Sequence, residues 1–130
     1  MKHCILVVED NQLNRELLCD WLEVEGYEVW SSADLQASYD VFAKRIPDAV
    51  LLDINLGADN GLDLLAWMLQ RPETREIPVI AVTAHALVGE QQRILNAGCR
   101  ACLSKPIDFQ LLGAELKRRL QDSKTAPIDS

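Results

Sequence analysis

The chain alternates short apolar runs with longer segments in which apolar residues recur every three or four positions. The short runs are rich in leucine and β-branched residues, as strands are, and cover 5–8, 27–30, 49–53, 77–83 and 101–104. The longer segments carry the stripe of an amphipathic helix and cover 12–25, 34–44, 62–69, 87–97 and 108–120. The pattern therefore predicts five strands that alternate with five helices.

Short loops and an intervening helix between strands favour a parallel sheet with helices on both faces, which is the α/β class. Residues at the predicted helix ends agree: Asn11 and Asp108 are suitable N-caps, and Gly26 suits the position after a helix C-terminus. No linker or repeat divides the chain. We expect one domain over 1–121, followed by a polar tail over 122–130.

Composition and charge exclude several classes of partner. The 48% hydrophobic and 25% charged residues are ordinary for a soluble globular protein. A net charge of −7 argues against binding to nucleic acid or to an anionic membrane surface. No apolar run approaches the roughly 18–20 residues that span a bilayer, and the start does not resemble a signal peptide. The expectation is a cytoplasmic protein.

Four cysteines fit that compartment as reduced thiols. Cys99 and Cys102 form a C-x-x-C pair, which is typical of a redox site or of half a metal site. No second pair and no paired histidines accompany them, and Cys102 lies in an apolar run. Packing is therefore the favoured interpretation, with a redox or metal role as the alternative.

Polar residues follow four of the predicted strands, at the edge where ligands bind in sheets of this class. Glu9 and Asp10 follow the first strand, Asp53 ends the third, Thr83 ends the fourth, and Lys105 follows the fifth. Each has an ordinary explanation alone, such as a helix cap, a β-branched strand residue or a solvated lysine. Their joint occurrence at four strand ends favours one shared site.

The chemistry of this set points to phosphate and a hard metal ion. Three clustered carboxylates repel one another and attract a cation, and oxygen ligands suit Mg²⁺. Lys105 and Thr83 supply an ammonium and a hydroxyl, which are the groups that hold a phosphoryl group. Asp53 is then a candidate nucleophile that would form an aspartyl phosphate.

Five segments carry a family resemblance in matching order and spacing. They are VVEDN at 7–11, LLDINL at 51–56, NGLDLL at 60–65, PVIAVTA at 78–84 and LSKPI at 103–107. Over about residues 3–121 the chain resembles the receiver domain of two-component response regulators, including the single-domain chemotaxis type. The resemblance implies a flavodoxin-like, doubly wound five-stranded parallel sheet of order 2-1-3-4-5 with five helices.

The resemblance also implies a function for this site. Asp53 would accept a phosphoryl group from the phosphohistidine of a sensor histidine kinase or of a histidine phosphotransfer protein. The protein ligands of Mg²⁺ would be Asp10, Asp53 and the backbone carbonyl of Asn55, with Glu9 acting through water. Lys105, before a cis Lys105–Pro106 bond, and Thr83 would contact phosphoryl oxygens. Phosphorylation would then switch contacts with a downstream protein target.

Three positions depart from the family pattern or vary within it. Cys102 replaces the usual tyrosine or phenylalanine that couples to the threonine, Gly57 replaces a frequent proline, and His85 lies near the mouth of the site. Output in this family commonly uses the face that here holds Leu87, Val88, Gln91, Cys102 and Leu111.

Two other functions remain open for this fold. An aspartyl-phosphate phosphatase usually needs a second acid two residues after the nucleophile, and Asn55 occupies that place. An adaptor that works without phosphorylation would not need Asp10, Asp53, Thr83 and Lys105, although Cys102 leaves this alternative open. The favoured interpretation is a phosphorylated switch rather than an enzyme with a diffusible substrate.

Overall fold

The computed structural model describes residues 2–84 and 87–125 and contains the five predicted strand–helix units. The strands are β1 (Cys4–Val8), β2 (Glu28–Ser32), β3 (Ala49–Asp53), β4 (Asn55–Leu56), β5 (Asp59–Asn60), β6 (Val79–Thr83) and β7 (Ala101–Ser104). The helices are α1 (Gln12–Val24), α2 (Leu35–Lys44), α3 (Leu62–Leu69), α4 (Val88–Asn96) and α5 (Phe109–Thr125). His85 and the tail residues 126–130 lie outside the described residues.

The main sheet is parallel and has the order β2-β1-β3-β6-β7. Counted along this sheet alone, that is the 2-1-3-4-5 order expected for a flavodoxin-like fold, so the fold class is confirmed. β3 lies in the middle, with Val8 of β1 beside Leu52 and Val82 of β6 beside Asp53. The central strand therefore carries Asp53 at its carboxyl end.

Two apolar layers bury the sheet, which explains why its strands do not alternate between apolar and polar residues. Val50 and Leu52 face the layer that includes α2, α3 and α4. Leu51 faces the opposite layer, which includes α1 and α5. All five residues of β3 are buried, so Asp53 ends a strand that is packed on both sides.

Predicted and observed boundaries differ by a few residues for identifiable reasons. β2 starts at Glu28 because Tyr27 donates its backbone N–H to Leu22 O and closes the C-terminus of α1, with Gly26 at φ +98°. β6 starts at Val79 because Pro78 has no N–H to donate, although its carbonyl accepts from Val50. α5 extends past the predicted end at Leu120 to Thr125, so the first part of the predicted polar tail is helical.

The loop after β3 contains a short hairpin, which the pattern of apolar runs did not predict. β4 and β5 pair antiparallel, with Asn55 opposite Asn60 and Leu56 opposite Asp59. Gly57 has φ +61° at the first position of the two-residue turn, where glycine is favoured. The side chain of Leu56 is buried in the core and anchors the hairpin beside the end of β3.

None of the helices in the described part of the chain is both long enough and apolar enough to cross a membrane.

Gly61 packs directly against the backbone that carries Asp53, and this contact predicts the effect of adding a methyl group. A Cβ at Gly61 would collide with the carbonyl oxygen of Asp53 and lie 3.0 Å from Ile54 Cα. We expect Gly61→Ala to lower the free energy of unfolding by about 1–3 kcal/mol, as overpacking against rigid backbone does. Chemical denaturation measures this difference.

Gly89→Ala is the matched control, because a Cβ at Gly89 in α4 meets no atom within 4 Å. Removing a helical glycine there should raise stability by about 0.5–1 kcal/mol. Equal effects at Gly61 and Gly89 would show that the close contact at Gly61 is unimportant.

Candidate functional site

The carboxyl ends of four parallel strands bring the predicted polar residues to one edge of the sheet. Asp53 is the last residue of β3 and Thr83 the last of β6, while Glu9 follows β1 and Lys105 follows β7. One carboxylate oxygen from each of Glu9, Asp10 and Asp53 lies within 4.8 Å of the others. The predicted cluster of acids therefore forms in the folded chain.

Asp53 is held through both of its carboxylate oxygens. Lys105 Nζ donates to Asp53 Oδ2 at 3.0 Å, and the backbone N–H of Asn55 donates to Asp53 Oδ1 at 3.0 Å. The Asp53 side chain is only 1% exposed, whereas that of Lys105 is 28% exposed. The aspartate is thus fixed and shielded, and the ammonium partly faces solvent.

Lys105 and Thr83 are neighbours at the ends of β7 and β6. The backbone N–H of Lys105 donates to Thr83 O at 2.9 Å, and the Lys105–Pro106 bond is cis, as the family resemblance implied. Thr83 is fully buried at this edge of the sheet. Contact between its hydroxyl and a phosphoryl group remains a prediction.

The turn after β1 presents two acids in different environments. Glu9 is 2% exposed, and its Oε2 accepts from the backbone N–H of Asn11 at 3.1 Å. Asp10 is exposed, and its Oδ2 lies 3.6 Å from the position that a Cβ on Gly57 would take. Asp10 therefore reaches toward the loop after Asp53, and the glycine there leaves space around its carboxylate.

Charge is unevenly balanced in this cluster. Lys105 Nζ lies 3.0 Å from Asp53 Oδ2 and 3.6 Å from Glu9 Oε1, so one ammonium serves two buried carboxylates. Burial raises the pKa of Glu9 to about 7; the Asn11 N–H and Lys105 oppose this rise, while the nearby Asp53 carboxylate adds to it. Burial acts to lower the pKa of Lys105, but Asp53 and Glu9 outweigh it and the net direction is upward.

The donor set fits Mg²⁺ on chemical grounds. It consists of oxygen ligands from three carboxylates, and the exposed Asp10 leaves one side open to the waters that Mg²⁺ retains. The three acids carry more negative charge than Lys105 neutralises. Asn55 follows Asp53 closely, with Ile54 between them, but the role of its carbonyl as a ligand stays a prediction.

A cavity of about 410 Å³ opens beside the acids. Glu9 and Lys105 line it together with apolar side chains of α1 and the segment leading into α5, among them Leu17, Ile107 and Phe109. Periodicity alone did not predict this cavity, because its wall combines residues that lie far apart in the chain. The candidate site thus continues into an apolar surface.

Arg15 is a second feature that the sequence did not single out. Its Nη1 donates to the backbone carbonyl of Glu9 at 2.9 Å. The only signal available was its place in the first turns of α1, where side chains lean toward the helix N-terminus and hence toward β1.

The C-x-x-C pair lies in the core rather than in this site. Cys99 is 5% exposed among the residues buried by α3 and α4, and Cys102 is half-buried against the same cluster. All four cysteines are free. Burial raises the pKa of Cys99 to about 12, which opposes the thiolate that redox chemistry and metal binding require. The structure therefore favours packing.

Comparisons with known proteins agree with this geometry. The family model for the response regulator receiver domain matches residues 5–117. The polar-differentiation response regulator DivK of Brucella anthropi is 38% identical over 123 residues, which cover 95% of this chain and all of that protein. The chain therefore belongs to the response regulator receiver family.

Solved structures lead to the same family. The signal receiver domain of a signal transduction histidine kinase from Syntrophus aciditrophicus superposes with a TM-score of 0.85 at 28% identity, covering 94% of this chain and 92% of that one. The receiver domain of a DNA binding response regulator from Colwellia psychrerythraea gives a TM-score of 0.85 at 25% identity, covering 92% and 99%. Receiver domains act mainly as phosphoacceptor switches.

The raised pKa of Glu9 predicts how stability depends on pH in metal-free protein. The folded state holds a proton on Glu9 up to a pKa of about 7, whereas the ordinary value is 4.5. Stability from this group is therefore present at low pH and is lost as pH rises toward 7. We expect the free energy of unfolding of wild type, measured in chelator, to fall relative to Glu9→Gln between about pH 5 and pH 7. A constant difference across this range would contradict the assignment.

The buried position of Cys99 predicts its reactivity. In native protein at mildly alkaline pH, a thiol reagent should modify the half-buried Cys4 and Cys102 before Cys99, while all four thiols should react at similar rates in denaturant. Mass spectrometry of peptides locates the modified residue. Rapid native labelling of Cys99, or zinc retained by both Cys99 and Cys102, would instead support the redox or metal alternative.

Proposed function

We propose that this chain is a phosphorylation-operated switch whose acceptor is Asp53. The donor is the phosphohistidine of a sensor histidine kinase or of a histidine phosphotransfer protein, and the reaction requires Mg²⁺. The observation that carries this proposal is the pairing of Asp53 with Lys105 at 3.0 Å, beside the carboxylates of Glu9 and Asp10. Residues 1–121 are assigned to this activity, and 122–130 form a C-terminal segment whose first part is the end of α5.

The transfer exchanges one bond for another at phosphorus. A carboxylate oxygen of Asp53 forms the new O–P bond, and the N–P bond of the donor breaks with its electron pair returning to the imidazole. The contacts from Lys105 and the Asn55 N–H fix the Asp53 carboxylate before the donor arrives. The carboxylate therefore loses little further freedom during the reaction.

Charge neutralisation is the main chemical task of the remaining residues. Lys105 neutralises phosphoryl oxygens once it exchanges its contact with Asp53 for one with the incoming group, and the Thr83 hydroxyl donates to another. Asp10, Asp53 and the Asn55 carbonyl would hold Mg²⁺ directly, with Glu9 acting through water. The ion supplies positive charge to the transferred group when bound.

Access to Asp53 explains why the donor is expected to be a protein surface or a small molecule that enters from one side. The Asp53 side chain is 1% exposed, so phosphorus must approach past Lys105 and Asp10 at the open edge. The apolar cavity lined by Leu17 and Phe109 continues from this edge and offers a protein donor a surface to pack against.

Output is assigned to protein contacts on another face. Leu87, Val88 and Leu111 are 75%, 84% and 56% exposed, respectively. Leu87 is the N-cap of α4, Val88 is its first residue, and Leu111 lies on α5. Such apolar exposure suits a downstream protein target. Cys102 is half-buried where receivers usually carry an aromatic residue, so coupling between Thr83 and this face differs from the usual form. The switch is assigned to the cytoplasm, where its four free thiols remain reduced.

Phosphorylation by a small donor tests this function without a kinase. With Mg²⁺ and acetyl phosphate, wild-type protein should gain one phosphoryl group, seen by intact-mass spectrometry, and Asp53→Asn should gain none. Asp40→Asn is the matched control, because Asp40 is an exposed aspartate on α2, outside the site, and should leave the gain intact.

Chelation of Mg²⁺ should abolish the gain in wild type, because the charge on the transferred group is then unbalanced. Phosphorylation that persists in Asp53→Asn would place the acceptor elsewhere. Failure of wild type and Asp40→Asn alike to accept phosphate would favour the phosphorylation-independent adaptor.

A further inference from the structure

The turn between β1 and α1 is held by four hydrogen bonds that together place Asp10. Glu9 N–H donates to Ser32 O at 3.1 Å, and Asn11 N–H donates to the Glu9 side chain at 3.1 Å. Asn14 N–H donates to Asn11 Oδ1 at 2.9 Å, and Arg15 Nη1 donates to Glu9 O at 2.9 Å. Of these four contacts, only that from Arg15 has a side chain as its donor.

The carbonyl that Arg15 holds belongs to the peptide that leads into Asp10. A peptide unit is planar and includes the Cα of the next residue, so holding Glu9 O constrains where the Cα of Asp10 lies. Glu9 N–H is already tied to Ser32 O, which means that both peptide planes flanking Glu9 are anchored. Asp10 is exposed, so the backbone before it is the principal constraint on where its carboxylate lies.

Arg15 is suited to this task by its own placement. Its backbone N–H donates to Asn11 O at 2.9 Å in the first turn of α1, and its side chain is half-buried. A guanidinium is a charged donor, and a charged donor forms a stronger hydrogen bond than a neutral one. The contact therefore links the start of α1 to the end of β1.

We infer that Arg15 is a positioning residue that holds the Glu9–Asp10 peptide so that Asp10 can bind the magnesium ion. This inference rests on the proposed function, in which Asp10 is a direct ligand. Arg15 acts through the backbone and touches neither the ion nor the phosphoryl group.

The direction in which Mg²⁺ affinity changes when Arg15 is replaced distinguishes a positioning role from a purely electrostatic one. A cation near a metal site repels the ion, so loss of the Arg15 charge alone would tighten Mg²⁺ binding. Loss of a positioning contact weakens Mg²⁺ binding instead, because the Asp10 carboxylate must then become ordered when the ion binds. Residues that orient metal ligands through hydrogen bonds typically contribute about 10–100-fold in metal affinity.

Titration calorimetry with Mg²⁺ tests the inference on four proteins. Arg15→Met keeps the packing of the stem but removes the donor, and we expect its dissociation constant to rise about tenfold. Arg15→Lys restores a charged donor and should bind nearly as wild type does. Arg71→Met is the control, because Arg71 is partly exposed over Trp67 and bonded to Glu73, away from the site.

The outcomes distinguish this inference from the proposed function. Absence of Mg²⁺ binding by wild type would overturn the proposed metal site itself. Wild-type binding with equal or tighter binding by Arg15→Met would overturn the positioning role and leave the proposed function standing.

Amide hydrogen exchange in metal-free protein gives a readout that needs no ion. Arg15→Met should speed exchange at the Asn11 amide, which donates to Glu9 Oε2, while the amides of β3 keep their wild-type rates. Faster exchange throughout the protein would indicate general destabilisation, and unchanged exchange at Asn11 would show that Arg15 does not hold the turn. Either result would overturn the inference whatever the titration gives.

Discussion

The ion pair between Lys105 and the carboxylates of Asp53 and Glu9 is the contact on which the site depends. Burying a charge is costly unless it is paired, and both acids are almost fully buried. One ammonium offsets them only in part, and Asp10 adds a further negative charge at the edge. The site therefore carries excess negative charge, which suits a divalent cation. The bound cation and Lys105 together supply the positive charge that a phosphoryl group needs at the same place.

The rest of the fold holds Asp53 rigidly at the end of β3. β3 is the central strand of the sheet and is packed on both faces, so its last residue has little freedom. Gly61 lets the start of α3 approach the Asp53 backbone, and the buried Leu56 holds the β4–β5 hairpin beside it. Catalytic groups placed by packed strands are held more firmly than groups on loops. The more exposed Lys105 and Asp10 border the open edge, where a donor and an ion must enter.

The sequence was informative wherever a single local rule decided the structure. Unbroken apolar runs located the strands, and parallel connection brought Glu9, Asp53 and Lys105 to one edge, because parallel strands end on the same side. The sequence failed where contacts between distant parts of the chain decide. Strands of two residues are too short to show a period, and the bond from Arg15 to a backbone carbonyl leaves no pattern at all. The C-x-x-C pair was ambiguous because burial, which lowers the reactivity of Cys99, is a property of the folded chain.

The most direct test is a crystal structure of the protein with Mn²⁺ and beryllium fluoride, which stand in for Mg²⁺ and the phosphoryl group. Anomalous scattering should place the metal within direct bonding distance of oxygens of both Asp10 and Asp53. Beryllium should be bonded to a carboxylate oxygen of Asp53, and one of its fluorides should be contacted by Lys105. Metal bound elsewhere, or beryllium fluoride absent from Asp53 while the metal is present, would contradict the assignment of this edge as the phosphoacceptor site.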